Sequence, residues 1–191
     1  MELTSTKHNQ RIHPHKFTLW IAIASICMMF AGLTSAYIVK SNQDNFLEIS
    51  LPNYFWYSTI AIVLSSITIH LATKAFKARE RNKYKLLISL TAFLGIVFAS
   101  LQVMGFVNIE NHGISLIGNN SNAAASFLLV IIGLHALHVL GGVIALLVMF
   151  ILSFSQKIKS YNSIPIENVS IYWHFVDILW IYLLIFLIWI R

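Results

Sequence analysis

The last apolar run, IYWHFVDILWIYLLIFLIWI (residues 171–190), decides the fold. About twenty helical residues cross the hydrocarbon core of a bilayer, and this run is long enough. Inside it stand an imidazole and a carboxylate, His174 and Asp177. An aspartate at the centre of a membrane helix costs roughly 2.5–3.5 kcal/mol on insertion scales, so such a group rarely faces lipid. The two lie three residues apart and share a helical face. Trp173 and Trp180 occupy neighbouring faces. The run therefore packs a polar stripe against other protein inside a membrane. Asp177 and His174 are expected to hold it there, with the carboxylate satisfying an imidazole.

The rest of the chain has the same character. Of its 191 residues, 58% are hydrophobic and only 10% are charged, with a mean hydropathy of +0.74. A soluble domain carries about 25% charged residues. Four further runs, at residues 17–39, 54–75, 85–107 and 123–154, are also long enough to span. The reading is an all-α polytopic membrane protein: a cytoplasmic tail over residues 1–16, then a bundle of five transmembrane helices over residues 17–191. The fourth run exceeds what a span needs, which implies tilt or projection beyond the bilayer. Pro52 and Pro165 precede the second and fifth runs, and Asn119, Asn120, Ser121 and Asn122 offer caps before the fourth. The single cysteine, Cys27, lies in an apolar run, which excludes a disulfide or cysteine–metal framework. The polar start runs straight into a full-length span with no small-residue cleavage site, so no signal peptide is expected.

Charge sets the expected orientation. Eleven of the thirteen Lys and Arg fall on one side: Lys7, Arg11 and Lys16, then Lys74, Lys77, Arg79, Arg81, Lys83 and Lys85, then Lys157 and Lys159. Only Lys40 and Arg191 fall on the other. Basic loops stay in the cytoplasm, which predicts the N-terminus inside and the C-terminus outside. The net charge of +6 is thus read as topology and anionic-lipid contact, with no nucleic acid as partner.

Other polar groups interrupt the spans. The fourth run carries His135 and His138, followed by Gly141 and Gly142. Gly141 with Ala145, Gly95 with Ala99 and Gly32 with Ala36 are small-xxx-small pairs, which let a neighbouring helix approach closely. Gln102 in the third run needs a hydrogen-bond partner. For His135, His138 and His174 three readings compete: hydrogen-bonded packing, metal or haem ligation, and a proton or lipid-headgroup contact. Ligation is the weakest, because two histidines three apart on one helix cannot bind opposite faces of one haem. Trp20, Tyr54, Trp56, Tyr57, Tyr172, Trp173 and Trp189 lie near span ends and read as an interfacial aromatic belt. Asp44, Glu48, Glu110 and Glu167 read as solvated loop carboxylates. No phosphate-binding glycine loop, nucleophile elbow or HExxH motif is present, so catalytic and metal residues are expected to be absent.

These residues resemble a known family. YWHFVDILWIYLL and GLHALHVLGG (residues 133–142) are similar to the two histidine motifs of subunit III of haem-copper terminal oxidases, the cytochrome c and quinol oxidases. FAGLTSAYIVK, LPNYFWYSTIAIVLSSITIHLA and LGIVFASLQVMGF resemble the family's earlier helices, and together the likeness covers residue 17 to the end. The resemblance implies the five-helix form found in many bacterial members, which lack the first two of seven helices. It implies a non-catalytic subunit of a proton-pumping oxidase that reduces oxygen to water, with an aa3-type cytochrome c oxidase preferred over a quinol oxidase. Haem and copper would sit in partner subunits and none on this chain. Subunit I would be the direct partner, supported in stability and proton uptake. Subunit II, small subunits, bound phospholipid and a respiratory supercomplex complete the expected partners, in a bacterial plasma membrane. Gln102, His135, His138, His174 and Asp177 carry over as the motif's polar residues, for structural, lipid or proton-related roles. In one departure, SICMMF places Ile26 where the family usually has a glutamate. A rival reading is a small transporter or channel that uses His138, His174 and Asp177 as its path. A b-type cytochrome anchor is a third.

Overall fold

A computed structural model describes residues 14–41, 53–111, 123–154 and 163–190. Among them the elements are α1 (Pro14–Ser41), α2 (Tyr54–Lys77), α3 (Arg81–Asn111), α4 (Ala123–Phe154) and α5 (Ile164–Ile190). Each contains 24–28 residues apolar enough to cross a membrane, so the five expected spans are present. Lys7, Arg11, Asp44, Glu48, Pro52, residues 119–122, Lys157, Lys159 and Arg191 lie outside the described residues.

The helices outrun their apolar stretches. The third begins at Arg81 and ends at Asn111, giving 31 residues against 32 for α4. The fourth helix is therefore not exceptional: it matches its antiparallel neighbour. The fifth begins at Ile164 rather than at residue 171. Pro165 falls within its first turn, where the missing N–H would have no helical partner anyway. Glu110 and Glu167, expected in loops, belong to α3 and α5.

The turn between α2 and α3 is minimal. Arg79 N–H donates to Phe76 O and Glu80 N–H to Ala75 O, both at 3.0 Å. This is the paired closure that ends many helices, and it needs a left-handed residue. Arg79 supplies it at φ 59°. The two helices then run antiparallel through Phe76–Tyr84 (ring centroids 5.0 Å apart), Thr68–Thr91 (2.8 Å) and Phe55–Phe106 (5.6 Å). Among the described residues α1 packs only on α4 and α5, while α5 packs on α1, α2 and α4. α1 and α5 run parallel, joined by Lys16–Glu167, Thr34–Tyr182 (2.8 Å) and Tyr37–Phe186 (5.7 Å).

Glycine positions show where helices are forced close. A Cβ on Gly142 would lie 2.9 Å from two atoms of the Trp173 ring, and one on Gly95 3.2 Å from it. Gly142, rather than Gly141, is thus the tight contact of α4. A Cβ built on Gly32 would meet nothing within 4 Å, so among the described residues Gly32 itself makes no close helix contact.

At the basic end of the bundle, Glu167 is 16% exposed and pairs with Lys16 of α1 and with Lys77 of α2 at 3.0 Å. It is a three-helix tie, not a solvated loop carboxylate. Both lysines are partly in solvent, so the tie is modest. Glu167→Gln is expected to lower stability by about 1 kcal/mol at low salt and by less at high salt. Thermal release of this chain from the purified complex, followed at two salt concentrations, checks it.

Candidate functional site

The polar groups of the spans converge on one side of α2. Ser58 and Ser65, like Thr59 and Ser66, are seven residues apart, which returns each pair to one side of a helix after two turns. In lipid, indole N–H, amide and imidazole groups must find partners inside the protein. Trp173 Nε1 donates to Ser65 Oγ at 2.9 Å, and Trp180 Nε1 to Thr59 Oγ1 at 3.0 Å. Gln102 Nε2 donates to Ser58 Oγ at 3.1 Å. The Ser66 hydroxyl and His174 Nδ1 are 2.6 Å apart. One serine–threonine seam thereby binds α3 and α5 to α2. Its hydroxyls were missed by a reading that looked for ionisable groups; the seven-residue repeat was the available signal.

Trp173 is fully buried, and Tyr172 donates to the backbone carbonyl of His138 at 3.1 Å. Trp173 belongs to the interior rather than to an interfacial belt, while Tyr172 is half-buried. Trp20, Tyr54, Trp56, Tyr57 and Trp189 are exposed on the bundle surface, where a belt would lie.

The histidines part company. His135 stacks on Trp180 with ring centroids 5.4 Å apart and planes 24° apart. It is 2% exposed, and among the described residues neither ring nitrogen has a partner. His138 turns towards α1, edge-on to Phe30 at 5.9 Å, with Nδ1 2.6 Å from Leu134 O. His174 faces α2 and lies 6.3 Å, ring to ring, from His70. Among the described residues no three His, Cys, Asp or Glu side chains cluster as a metal-holding group.

Asp177 is 4% exposed. One carboxylate oxygen is 3.9 Å from His174 Nδ1, too far for a hydrogen bond. Among the described residues neither oxygen has a hydrogen-bond partner. The pair thus meets through ion pairing rather than a direct hydrogen bond: Ser66 bonds His174, and the carboxyl stays within ion-pairing distance of the same imidazole. The consequence for mutation is a reversal. Ser66→Ala is expected to cost about 1–3 kcal/mol by orphaning the imidazole nitrogen. Asp177→Leu should cost less, because it leaves no hydrogen-bonded group orphaned and removes a carboxyl that is itself costly in an apolar helix. Retention of the chain in heated complex ranks the two. A leucine variant released more readily than the Ser66 variant would restore Asp177 as the anchor.

Comparison with known proteins accords with this architecture. The family pattern described as cytochrome c oxidase subunit III matches residues 5–191. The cytochrome bo(3) ubiquinol oxidase subunit 3 of Buchnera aphidicola subsp. Schizaphis graminum (strain Sg) is 31% identical over 172 residues, covering 86% of this chain and 88% of that protein. The cytochrome c oxidase subunit 3 of Bacillus sp. (strain PS3) is 24% identical over 168 residues, 86% of this chain and 80% of that one. That of Corynebacterium diphtheriae (strain ATCC 700971 / NCTC 13129 / Biotype gravis) is 29% identical over 166 residues, 83% and 79% of the two chains. Five spans knit by a hydroxyl seam, and a family match along almost the whole sequence, lead to one conclusion: the chain belongs to the cytochrome c oxidase subunit III family, the third subunits of haem-copper terminal oxidase complexes.

Proposed function

We propose that this chain is a non-catalytic scaffold in a proton-pumping oxidase of a bacterial plasma membrane, packed on subunit I and sustaining its stability and proton uptake. One observation carries the reading. The polar side chains of the spans mostly bond one another across helices, Ser65 with Trp173, Thr59 with Trp180 and Ser66 with His174. They stabilise a bundle. In this reading haem and copper belong to partner subunits, with subunit II, small subunits and phospholipid completing the assembly. The chain expressed alone should give no haem signal in a redox difference spectrum, and a stoichiometric b-type signal would overturn the scaffold reading. A transport path is disfavoured because His138 sits against Phe30 of α1 while His174 sits against Ser66 of α2.

For the electron donor, a cytochrome c oxidase, read as aa3-type, is the first reading; the Bacillus and Corynebacterium relatives carry the cytochrome c oxidase name. A quinol oxidase is the second, favoured by the 31% identity of the Buchnera protein. A complex purified with this chain that oxidises reduced cytochrome c supports the first; one that oxidises only quinol replaces it with the second. Orientation follows the basic residues, with the end bearing Lys16 and Lys77 in the cytoplasm. A reporter fused after Arg191 should be active on the periplasmic side, and cytoplasmic activity there would reverse the assignment.

A further inference from the structure

The outward stripe of α5 lies open between α1 and α2. α5 packs on both of these helices, while among the described residues α1 and α2 do not touch each other. Glu167 marks the middle of the gap, since it reaches Lys16 on one side and Lys77 on the other. From Glu167 the stripe runs inward along α5 through the partly exposed His174 to the exposed Ile178. Beside it, α2 presents Lys77, Lys74, His70 and Ile67, all exposed. Their spacing of three or four residues keeps them on one side of the helix. The His70 and His174 rings are neighbours, with centroids 6.3 Å apart.

Three chemistries follow one another with depth along this groove. At the rim Lys16, Lys74 and Lys77 face one carboxylate, Glu167, and Lys74 has no ion-pair partner among the described residues. His70 lies four residues inward from Lys74, roughly 6 Å along the axis. At that level the groove offers N–H donors. Ser66 is bonded at His174 Nδ1, and when the hydroxyl donates, the ring proton sits on Nε2. Asp177 is buried and presents no charge at the groove surface. Deeper still the walls are apolar, with Ile67 and Ile178. The headgroup layer adds roughly 5–8 Å to each side of the hydrocarbon core, so the step from lysine to histidine spans that layer. A phospholipid changes in the same order over the same depth: an anionic phosphate, then ester carbonyls that only accept hydrogen bonds, then hydrocarbon. A partner's transmembrane helix has no fixed order of this kind and would need acids of its own to meet the rim.

We propose that the groove between α1 and α2 holds one anionic phospholipid. Its phosphate lies at Lys74 and Lys77, an ester carbonyl accepts from His70 or His174, and an acyl chain runs along Ile67 and Ile178. The surplus of positive charge at the rim selects an anionic head over a zwitterionic one. The proposal deepens the phospholipid part of the reading above by giving it a place, and it does not depend on which oxidase the chain serves.

The test uses the intact complex in bilayers containing phosphatidylglycerol or phosphatidylcholine that carries a diazirine at the top of one acyl chain. After illumination, phosphatidylglycerol is expected to label the segments around Ile67 and Ile178 several-fold more than those around Leu86 and Leu90, which are exposed on α3. Phosphatidylcholine should show no such excess. Lys74→Gln should raise the phosphatidylglycerol fraction needed for half-maximal labelling about five-fold, the effect of roughly one lysine near an anionic lipid. His70→Leu should raise it further. Both side chains are exposed, so the chain should stay in the complex with either change. Lys83→Gln, at the exposed start of α3, should leave labelling unchanged. Equal labelling by the two lipids, equal labelling at the α3 segments, or a Lys83 effect as large as that of Lys74 would overturn the proposal. So would the absence of label at Ile67 and Ile178, the result expected if a partner helix covers the groove. None of these outcomes alters the haem spectrum that tests the scaffold reading.

Discussion

Trp173→Ala is expected to destabilise the bundle by about 3 kcal/mol. The ring is fully buried, lies on α5 and would meet Cβ atoms built on Gly95 of α3 and Gly142 of α4. Its N–H bonds Ser65 of α2. A single side chain thus fills the space shared by four helices. In a membrane the transfer part of a large-to-small loss shrinks, because lipid is itself apolar, while the cavity and lost-contact part remains. That places the cost at the low end of the roughly 3–5 kcal/mol seen for aromatic-to-alanine changes. The opposite error should also show. Gly142→Ala puts a methyl 2.9 Å from the ring and is expected to cost about 1–3 kcal/mol by overpacking. Detergent-titration unfolding of the purified complex measures both. Trp20→Ala, on the exposed surface, is the control. A Trp173 variant no worse than that control would remove the ring from its central role.

Trp180→Ala should reach a similar size, about 3 kcal/mol, by a different route. Its ring meets Phe55 at 5.6 Å, Phe98 at 5.8 Å and the His135 ring at 5.4 Å. Trp180→Phe keeps most of that contact and forfeits the bond to Thr59, so it should cost about 1 kcal/mol. Because Trp180 and His135 touch, their losses should not add. A double-mutant cycle with His135→Leu is expected to return a coupling of about 0.5–1.5 kcal/mol. Strict additivity would mean that the stack carries no energy.

Much of this fold was legible because lipid leaves the backbone few options. A run long enough to span and free of charge must be a helix, and residues 123–154 became α4 without a change of boundary. The helix ends were less legible, since hydrogen bonding carries a helix past its apolar stretch into polar residues. That is why α5 begins at Ile164 and takes Glu167 and Pro165 with it. The early start also explains the misplaced Trp173, which lies deeper along the helix than the apolar run suggests. Facing was the hardest part. His135 and His138 are three apart on α4, yet one meets α5 and the other α1. Three residues make 300° of helix rather than a full turn, and the remaining offset is enough to assign neighbours to different partners. The Ser–Thr seam was hidden because hydroxyls in an apolar run are common and bond the preceding turn by default.

The absence of packing between α1 and its immediate successors bears on how the molecule is made. α2 and α3 leave the ribosome as a hairpin closed by a three-residue turn, and their contacts are local enough to form at once. α1 is synthesised first but finds its partners only in α4 and α5, with Lys16 and Glu167 separated by 151 positions. Until the fourth helix is inserted, the first has no packing partner among the described helices of its own chain. Synthesis order and assembly order are therefore inverted for α1. A chain truncated before Ala123 should leave α1 loosely associated and open to degradation, while the α2–α3 hairpin stays protected.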